Sequence, residues 1–252
     1  KVPVTAHLDA LRLVRPDSSE YEVEAELLRS IRRQGAELSY PAMVAAGHNA
    51  CVMHYRANRD RLREGDLLLV DAGAEVDCYA SDITRTFPVS GRYSRAQRAV
   101  HEVVEAAQQA AIEAVRPGRA LDQAHEAARH TVASGLRDLG IIRCSVDAAL
   151  ENGVCERYFP HKTCHWLGLD VHDVGDYQVD GQSRVLEPGM VLAVEPGIYI
   201  APDNRDVAPR WRGIGLRIED DVVVTRGDAD ILTRDMPRTA SEIEKLCAER
   251  QR

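Results

Sequence analysis

The strongest constraint on the fold is a segment that occurs twice in the chain. Residues 62–73 read LREGDLLLVDAG and residues 186–197 read LEPGMVLAVEPG, and the two align without gaps at an offset of 124 positions. Each copy contains a short apolar run that ends in a carboxylate, Asp71 in the first copy and Glu195 in the second. Such runs are typical of strands that are buried on both faces. We therefore predict a duplicated α/β unit; chance similarity between two turn sequences is the alternative interpretation.

Periodic apolar residues predict helices before each of these strands. One helix covers 5–14, and the next is capped by Ser18 or Ser19. The apolar face of the second helix consists of Val23, Leu27, Leu28 and Ile31. A capping box at Ser94 opens a third helix, and a fourth covers 121–136. The order of helices and strands therefore repeats along the chain, as a duplication requires.

Four carboxylates occupy positions where a buried sheet would otherwise be apolar: Asp71, Asp82, Glu195 and Glu219. Two of them end the apolar runs at 67–70 and 191–194, and Glu219 lies within a third predicted strand segment, 216–224. Burying a carboxylate costs several kcal/mol unless it is paired or bound to a metal ion. A single acid of this kind is more simply a helix cap or an exposed turn. Four of them in repeated frames favour a metal site.

A histidine-rich segment, PHKTCHWLGLDVHDVG (160–175), supplies the nitrogen donor that such a site needs. His161 and His165 are four residues apart, as in the zinc motif HExxH, but Lys162 stands where that motif has its glutamate. Together with His172 they are interpreted as one metal ligand and two supporting histidines. A mixed set of oxygen and nitrogen donors suits Mn, Co, Fe or Zn. The remaining histidines on predicted helices are interpreted as structural: His7, His101, His125 and His130.

Composition excludes several classes of function. Net charge is −8, and no run of basic residues offers the clustered positive surface that nucleic-acid binding requires. No apolar run approaches the ~18 residues of a membrane span. The six cysteines form no CxxC pair and are interpreted as reduced thiols, which predicts a cytoplasmic protein.

Long blocks of the sequence resemble one known family. DAGAEVDCYASDITRTFP, HWLGLDVHDVG, LEPGMVLAVEPGIYI and GIGLRIEDD are similar to the signature blocks of aminopeptidase P, an Xaa-Pro aminopeptidase among the pita-bread metallopeptidases. The resemblance covers nearly the whole chain. It implies an α+β fold in which two pseudo-symmetric α/β halves surround a curved antiparallel sheet. It also implies that residues 1–252 are one metallopeptidase catalytic domain, without the N-terminal domain that the family usually carries.

The resemblance also assigns roles to individual residues. Asp71 would bind one metal ion, and Asp82 and Glu219 would bridge two. His165 and Glu195 would complete the second ion, and Glu195 is also the candidate proton acceptor. Two divalent ions per chain are implied, with Mn²⁺ as the first choice and Co²⁺ or Zn²⁺ as alternatives.

Further residues fall on positions of the family's substrate site. His54 would contact substrate near the scissile bond, His172 would stabilise the tetrahedral intermediate, and His161 would be a further active-site histidine. The residues that would shape the proline pocket or support the metal centre are Tyr40, Tyr177, Tyr199 and Arg217. One departure from the family pattern is the segment Lys162-Thr163-Cys164, where small residues are usual. Cys164 is interpreted as a buried neutral thiol in preference to a metal ligand.

These features predict hydrolysis of the bond between an N-terminal residue and a following proline, by a hydroxide that bridges the metal ions. The expected partner is a proline-containing peptide, with no nucleic acid and no membrane, and a homo-oligomer remains an open expectation. The nearest alternative is a prolidase that acts on Xaa-Pro dipeptides. An alternative of another class is a catalytically silent binding module on the same fold, although such modules tend to lose ligands that are intact here.

Overall fold

A computed structural model describes residues 1–249 of the chain. The first half contains α1 (Val2–Leu11), α2 (Glu20–Arg33), β1 (Glu37–Leu38), β2 (Met43–Ala46), β3 (Leu67–Asp71), β4 (Ala74–Glu75) and β5 (Thr84–Pro88). The second half contains α3 (Arg95–Ala114), α4 (Asp122–Asp138), α5 (Val146–Glu151), β6 (Cys164–Trp166), β7 (Gln178–Val179), β8 (Gln182–Ser183), β9 (Val191–Val194), β10 (Gly197–Tyr199), β11 (Gly215–Arg217), β12 (Asp220–Val223), β13 (Asp230–Ile231) and α6 (Ala240–Glu249).

The two repeated segments form the interior strands of two antiparallel sheets. In the first half β3 lies between β2 and β5, and in the second half β9 lies between β6 and β12. Helices α1 and α2 pack together in the first half, as α3 and α4 do in the second. The prediction of two related α/β halves is therefore confirmed.

Both interior strands begin after a glycine that the repeat shares. Gly65 precedes β3 and Gly189 precedes β9, and their φ angles are +87° and +99°. Residues with a side chain rarely adopt this backbone conformation, so glycine is required to start each strand in the same way. The repeat thus preserves a turn as well as a strand.

The two halves meet at Glu219. The backbone N–H of Glu219 donates to the carbonyl of Thr84 at 3.0 Å, which links the first sheet to the second. Beside this link the fully buried Arg85 pairs with Asp220 at 2.7 Å. The Arg85 guanidinium also donates to backbone carbonyls, including that of Glu219 at 2.6 Å. The junction between the halves is therefore fixed by hydrogen bonds on both sides of this carboxylate.

Three sequence expectations need correction. Helix α1 covers Val2–Leu11 instead of 5–14: Pro3 fits its first turn, and the chain leaves the helix in a tight turn before Pro16. Leu28 is 44% exposed, contrary to its prediction as part of the apolar face. Its neighbour Leu27 is buried on the same helix face as Val23 and Ile31, which lie four positions before and after it. The segment 216–224 is two strands, since β11 pairs with β10 whereas β12 pairs with β9.

The apolar core is continuous through both halves. The predicted capping box of Ser94 with Gln97 opens α3, and Ser19, one of the two predicted caps, begins α2 in a capping box with Glu22. Among residues 1–249, no helix is long and apolar enough to cross a membrane.

One buried histidine makes stability depend on pH. Neither ring nitrogen of His101 has a hydrogen-bond partner within residues 1–249, and the ring packs on Tyr93. Burial, followed by the charges of Arg85 and Arg98, lowers the pKa of His101 from 6.5 to about 3. The unfolded chain therefore binds a proton below pH 6.5 that the folded chain does not accept until about pH 3.

We expect this difference to weaken the fold in acid. Lowering the pH from 7 to 5 should cost about 2 kcal/mol of unfolding free energy through His101 alone. In a His101→Phe variant, which retains a ring against Tyr93, the loss over the same interval should be smaller by that amount. Urea denaturation at both pH values measures it, and equal losses in the two proteins would contradict the assignment.

Candidate active site

A group of buried metal-ligand donors lies where the two halves meet. Asp82, His165 and Glu219 each offer a ligand atom, and these atoms lie within 4.8 Å of one another. The Nε2 atom of His165 is 3.6 Å from Asp82 Oδ2 and 3.7 Å from Glu219 Oε1. Asp82 precedes β5, His165 lies in β6 and Glu219 joins β11 to β12. One donor from the first half and two from the second therefore converge.

The other two predicted ligands lie beside this group and line the same cleft. Glu195 follows β9 directly, and its Oε1 atom is 3.9 Å from His165 Nε2. Asp71 is the last residue of β3, and the Tyr40 hydroxyl donates to its Oδ1 atom at 2.5 Å. The same hydroxyl also contacts Asp82. The structure thus brings together all five residues that the sequence predicts as ligands.

The charges of the site are unbalanced. Burial raises the pKa of Asp71, Asp82 and Glu195, and the neighbouring Glu219 raises all three further. Burial also acts on Glu219, but the nearby imidazole of His165 and the charge of Arg217 outweigh it and lower its pKa. Four carboxylates therefore face one arginine and one histidine.

This donor set fits divalent metal ions. Bound cations would compensate the excess negative charge, and carboxylate oxygens with one imidazole are ligands that Mn²⁺, Co²⁺ and Zn²⁺ all accept. Cys164 also lines the cleft but, unlike Asp82, His165 and Glu219, offers no atom to the group of mutually close donors. Burial, followed by the charge of Glu195, raises the pKa of its thiol, which favours the protonated form that does not bind metal.

The donors form the floor of a cleft of about 720 Å³. The cleft is also lined by six of the residues predicted to act on substrate: Tyr40, His54, His161, His172, Tyr177 and Arg217. The ring of His172 packs edge-on against that of the predicted ligand His165, with centroids 4.4 Å apart. The hydroxyl of Tyr177 accepts a hydrogen bond from the backbone N–H of Trp166 at 3.1 Å. The predicted substrate residues and the predicted ligands therefore share one cavity.

Tyr199 lies behind the wall of this cleft and joins two of its residues. It is buried, its hydroxyl accepts from Arg217 Nη1 at 3.0 Å, and the same oxygen is 2.9 Å from His161 Nε2. Arg217 in turn pairs with Asp71 and donates through Nε to Thr84 Oγ1 at 3.1 Å. This network holds His161 and Arg217 in fixed positions relative to the carboxylates.

Two residues that support the site were missed in the sequence. The hydroxyl of Thr84 donates to Glu219 Oε2 at 2.6 Å, and the carboxylate of Asp221 accepts the backbone N–H of Asp82 at 3.1 Å. Thr84 stands two residues after Asp82, and Asp221 two after Glu219, so both follow a predicted ligand. That spacing is the only sequence signal for them.

Comparison with known proteins decides the family. The sequence model of metallopeptidase family M24 matches residues 2–226 of the chain. The chain belongs to this family. It is 45% identical to the Xaa-Pro aminopeptidase of Haemophilus influenzae over 247 residues, which are 98% of this chain and 57% of the relative.

Solved structures of similar aminopeptidases confirm the fold. Aminopeptidase PepP of Pseudomonas aeruginosa matches 99% of this chain and 57% of its own with a TM-score of 0.98 and 51% identity. Escherichia coli aminopeptidase P with the inhibitor Pro-Leu matches the same shares with a TM-score of 0.96 and 43% identity. The resemblance to aminopeptidase P and the α+β pita-bread fold are both confirmed. This M24 chain spans a little over half the length of these relatives.

Proposed function

We propose that this chain is the metallopeptidase catalytic domain, over residues 1–252, of an Xaa-Pro aminopeptidase. The observation that carries the proposal is the convergence of four carboxylates and one histidine on the floor of a cleft large enough for a short peptide. The similarity to enzymes named Xaa-Pro aminopeptidase along almost the whole chain supports the same reaction. The reaction is hydrolysis of the bond between an N-terminal residue and a following proline.

We propose that two divalent ions occupy the site, Mn²⁺ before Co²⁺ or Zn²⁺. Asp71 would hold one ion, His165 and Glu195 the other, and Asp82 and Glu219 both. When bound, the ions would polarise the scissile carbonyl and acidify water enough for attack at neutral pH. Four carboxylates facing one arginine and one histidine in the cleft, and the absence of thiolates from the three mutually close donors, support the choice.

Glu195 is the proposed acceptor of the proton that the attacking water loses. Its carboxylate lines the floor of the cleft, and its Oε1 atom is 3.9 Å from His165 Nε2. A carboxylate within reach of the attacking water can act as the general base. His172, on the wall beside His165, would donate a hydrogen bond to the oxygen of the former carbonyl.

The remaining cleft residues are proposed to position the peptide. An Xaa-Pro bond is a tertiary amide without an N–H, so a clamp based on backbone hydrogen bonds would lose one donor. A shaped pocket must replace it, and His54, Tyr40 and Arg217 are candidates for its walls. Tyr40 and Arg217 are held by Asp71, and Tyr177 closes another side against Trp166. His161 is held through Tyr199.

A comparison of two substrates separates this proposal from its nearest alternative. We expect Ala-Pro-Ala to be cleaved with Mn²⁺ into alanine and Pro-Ala, and Ala-Ala-Ala to be cleaved much more slowly. Chromatography of the products measures both rates. Cleavage of the dipeptide Ala-Pro alone would overturn the proposal in favour of a prolidase. Failure to cleave any of the three with metal bound would favour the silent binding module.

The cytoplasmic location and the homo-oligomer stay predictions. The location rests on the scattered pattern of six cysteines, all of them free thiols in the structure.

A further inference from the structure

The cleft contains two cations that the proposed reaction does not use. Arg56 and Lys162 both line it, and within residues 1–249 neither side chain forms an ion pair or a hydrogen bond. Arg217, by contrast, is committed to Asp71 and Tyr199. Arg56 and Lys162 can therefore bind a negatively charged ligand in the same cavity that holds the carboxylates.

These cations belong to the open part of the cleft. Lys162 directly follows His161, and Arg56 stands two residues after His54, so each extends the wall next to a proposed substrate residue. Both side chains are exposed, whereas the metal-ligand donors Asp82 and Glu219 are buried. Arg56 and Lys162 therefore lie toward the mouth of the cleft, away from its buried floor.

The segment that carries Arg56 is held by a buried carboxylate. Glu20, at the start of α2, is fully buried and accepts four hydrogen bonds: from Ala46 N at 2.7 Å, Asn49 Nδ2 at 3.0 Å, Tyr55 OH at 2.8 Å and Asp60 N at 2.9 Å. These bonds fix the chain on both sides of Arg56. A side chain on a fixed backbone loses less entropy when it binds a ligand.

We propose that Arg56 and Lys162 bind a carboxylate on the part of the peptide that follows proline. The inference rests on the proposed function. With the N-terminal residue at the metal-ligand donors, the leaving part of the peptide runs toward the mouth, and each added residue extends it by roughly 3.3–3.6 Å. The carboxylate of proline itself would lie beside the buried floor. A carboxylate one or two residues later reaches the exposed cations.

The carboxylate can belong to the C-terminus of the peptide or to an acidic side chain, and matched peptides distinguish the two. The α-carboxylate is tested by Ala-Pro-Ala against its C-terminal amide, and an acidic side chain by Ala-Pro-Glu-amide against Ala-Pro-Gln-amide. For at least one pair we expect kcat/KM to be about five- to tenfold higher for the charged peptide, since two partly exposed charge pairs contribute modestly. The difference should lie mainly in KM and shrink in high salt.

Variants assign the preference to these two residues. In the double variant Arg56→Ala/Lys162→Ala the ratio between charged and uncharged peptide should fall to about one. Arg59→Ala is the matched control, because Arg59 is an exposed arginine of the same segment that lies outside the cleft lining. It should keep the wild-type ratio. The inference is overturned if the double variant still prefers the charged peptide. It is also overturned if the wild-type protein shows no preference for the charged peptide in either pair.

A binding measurement decides the inference without turnover. Calorimetry with Pro-Leu and Pro-Leu-amide on the metal-loaded protein should show about five- to tenfold tighter binding of the free acid. The double variant should bind the two equally. Should no peptide be cleaved, the proposed function fails, and this measurement still tests the cations. Equal binding of acid and amide by the wild type contradicts their role.

Discussion

Replacing Glu219 by alanine is expected to lower peptide cleavage by at least about 1000-fold and to release metal from the protein. Metal ions contribute several kcal/mol of transition-state stabilisation, and this carboxylate is proposed to hold both ions. It also accepts a hydrogen bond from the Thr84 hydroxyl and stands at the junction of the two sheets. Elemental analysis of dialysed protein, together with an Xaa-Pro tripeptide assay, measures both effects.

Two further variants separate metal loss from misfolding. Glu219→Gln keeps the shape of the side chain and can still accept from Thr84, so it should fold and yet bind metal weakly. Glu75→Ala changes a carboxylate in β4, outside the cleft lining, and should keep both metal and activity. Full metal content in a folded Glu219→Ala protein would contradict the proposed ligand set.

Replacing His172 by alanine should lower kcat about 100- to 1000-fold while leaving metal content unchanged. This is the effect expected when one hydrogen-bond donor to a developing oxyanion is removed. His172 packs on the ring of His165 but lies outside the group of close ligand atoms. Steady-state kinetics and metal analysis on the same preparation measure the two quantities.

The control for this variant is another histidine. His130→Ala removes an exposed imidazole of α4 and should change neither quantity. Loss of metal from the His172→Ala protein would assign His172 to the metal centre. It would contradict the proposal that His165 binds metal whereas His172 only stabilises the oxyanion.

The repeated segment allowed the central strands of this fold to be predicted from the sequence. Each copy joins a glycine turn, an apolar strand and a terminal carboxylate, and these are local features that neighbouring residues determine. Because β3 and β9 are continuous apolar runs, both are interior strands of their sheets. The prediction that Asp71 and Glu195 approach one histidine needed only the duplication and the family resemblance, and the structure brings all three together.

The supporting contacts could not be predicted because they join residues that are far apart in the sequence. Thr84 reaches Glu219 across 135 positions, and nothing in the sequence near either residue indicates the other. The four hydrogen bonds to Glu20 were likewise hidden, because a glutamate in the first turn of a helix is ordinarily a capping residue. Leu28 was misassigned because two adjacent leucines fit one apolar pattern, although a helix turns only one of them inward.

The most direct test of the central claim is the metal content of the active protein. The chain should be inactive on an Xaa-Pro tripeptide after chelation, and activity should return as Mn²⁺ is titrated to two ions per chain. Calorimetry and activity measured along the same titration give the stoichiometry. Full cleavage by the metal-free protein, or saturation of both signals at one ion per chain, would contradict a dinuclear peptidase site at Asp71, Asp82, His165, Glu195 and Glu219.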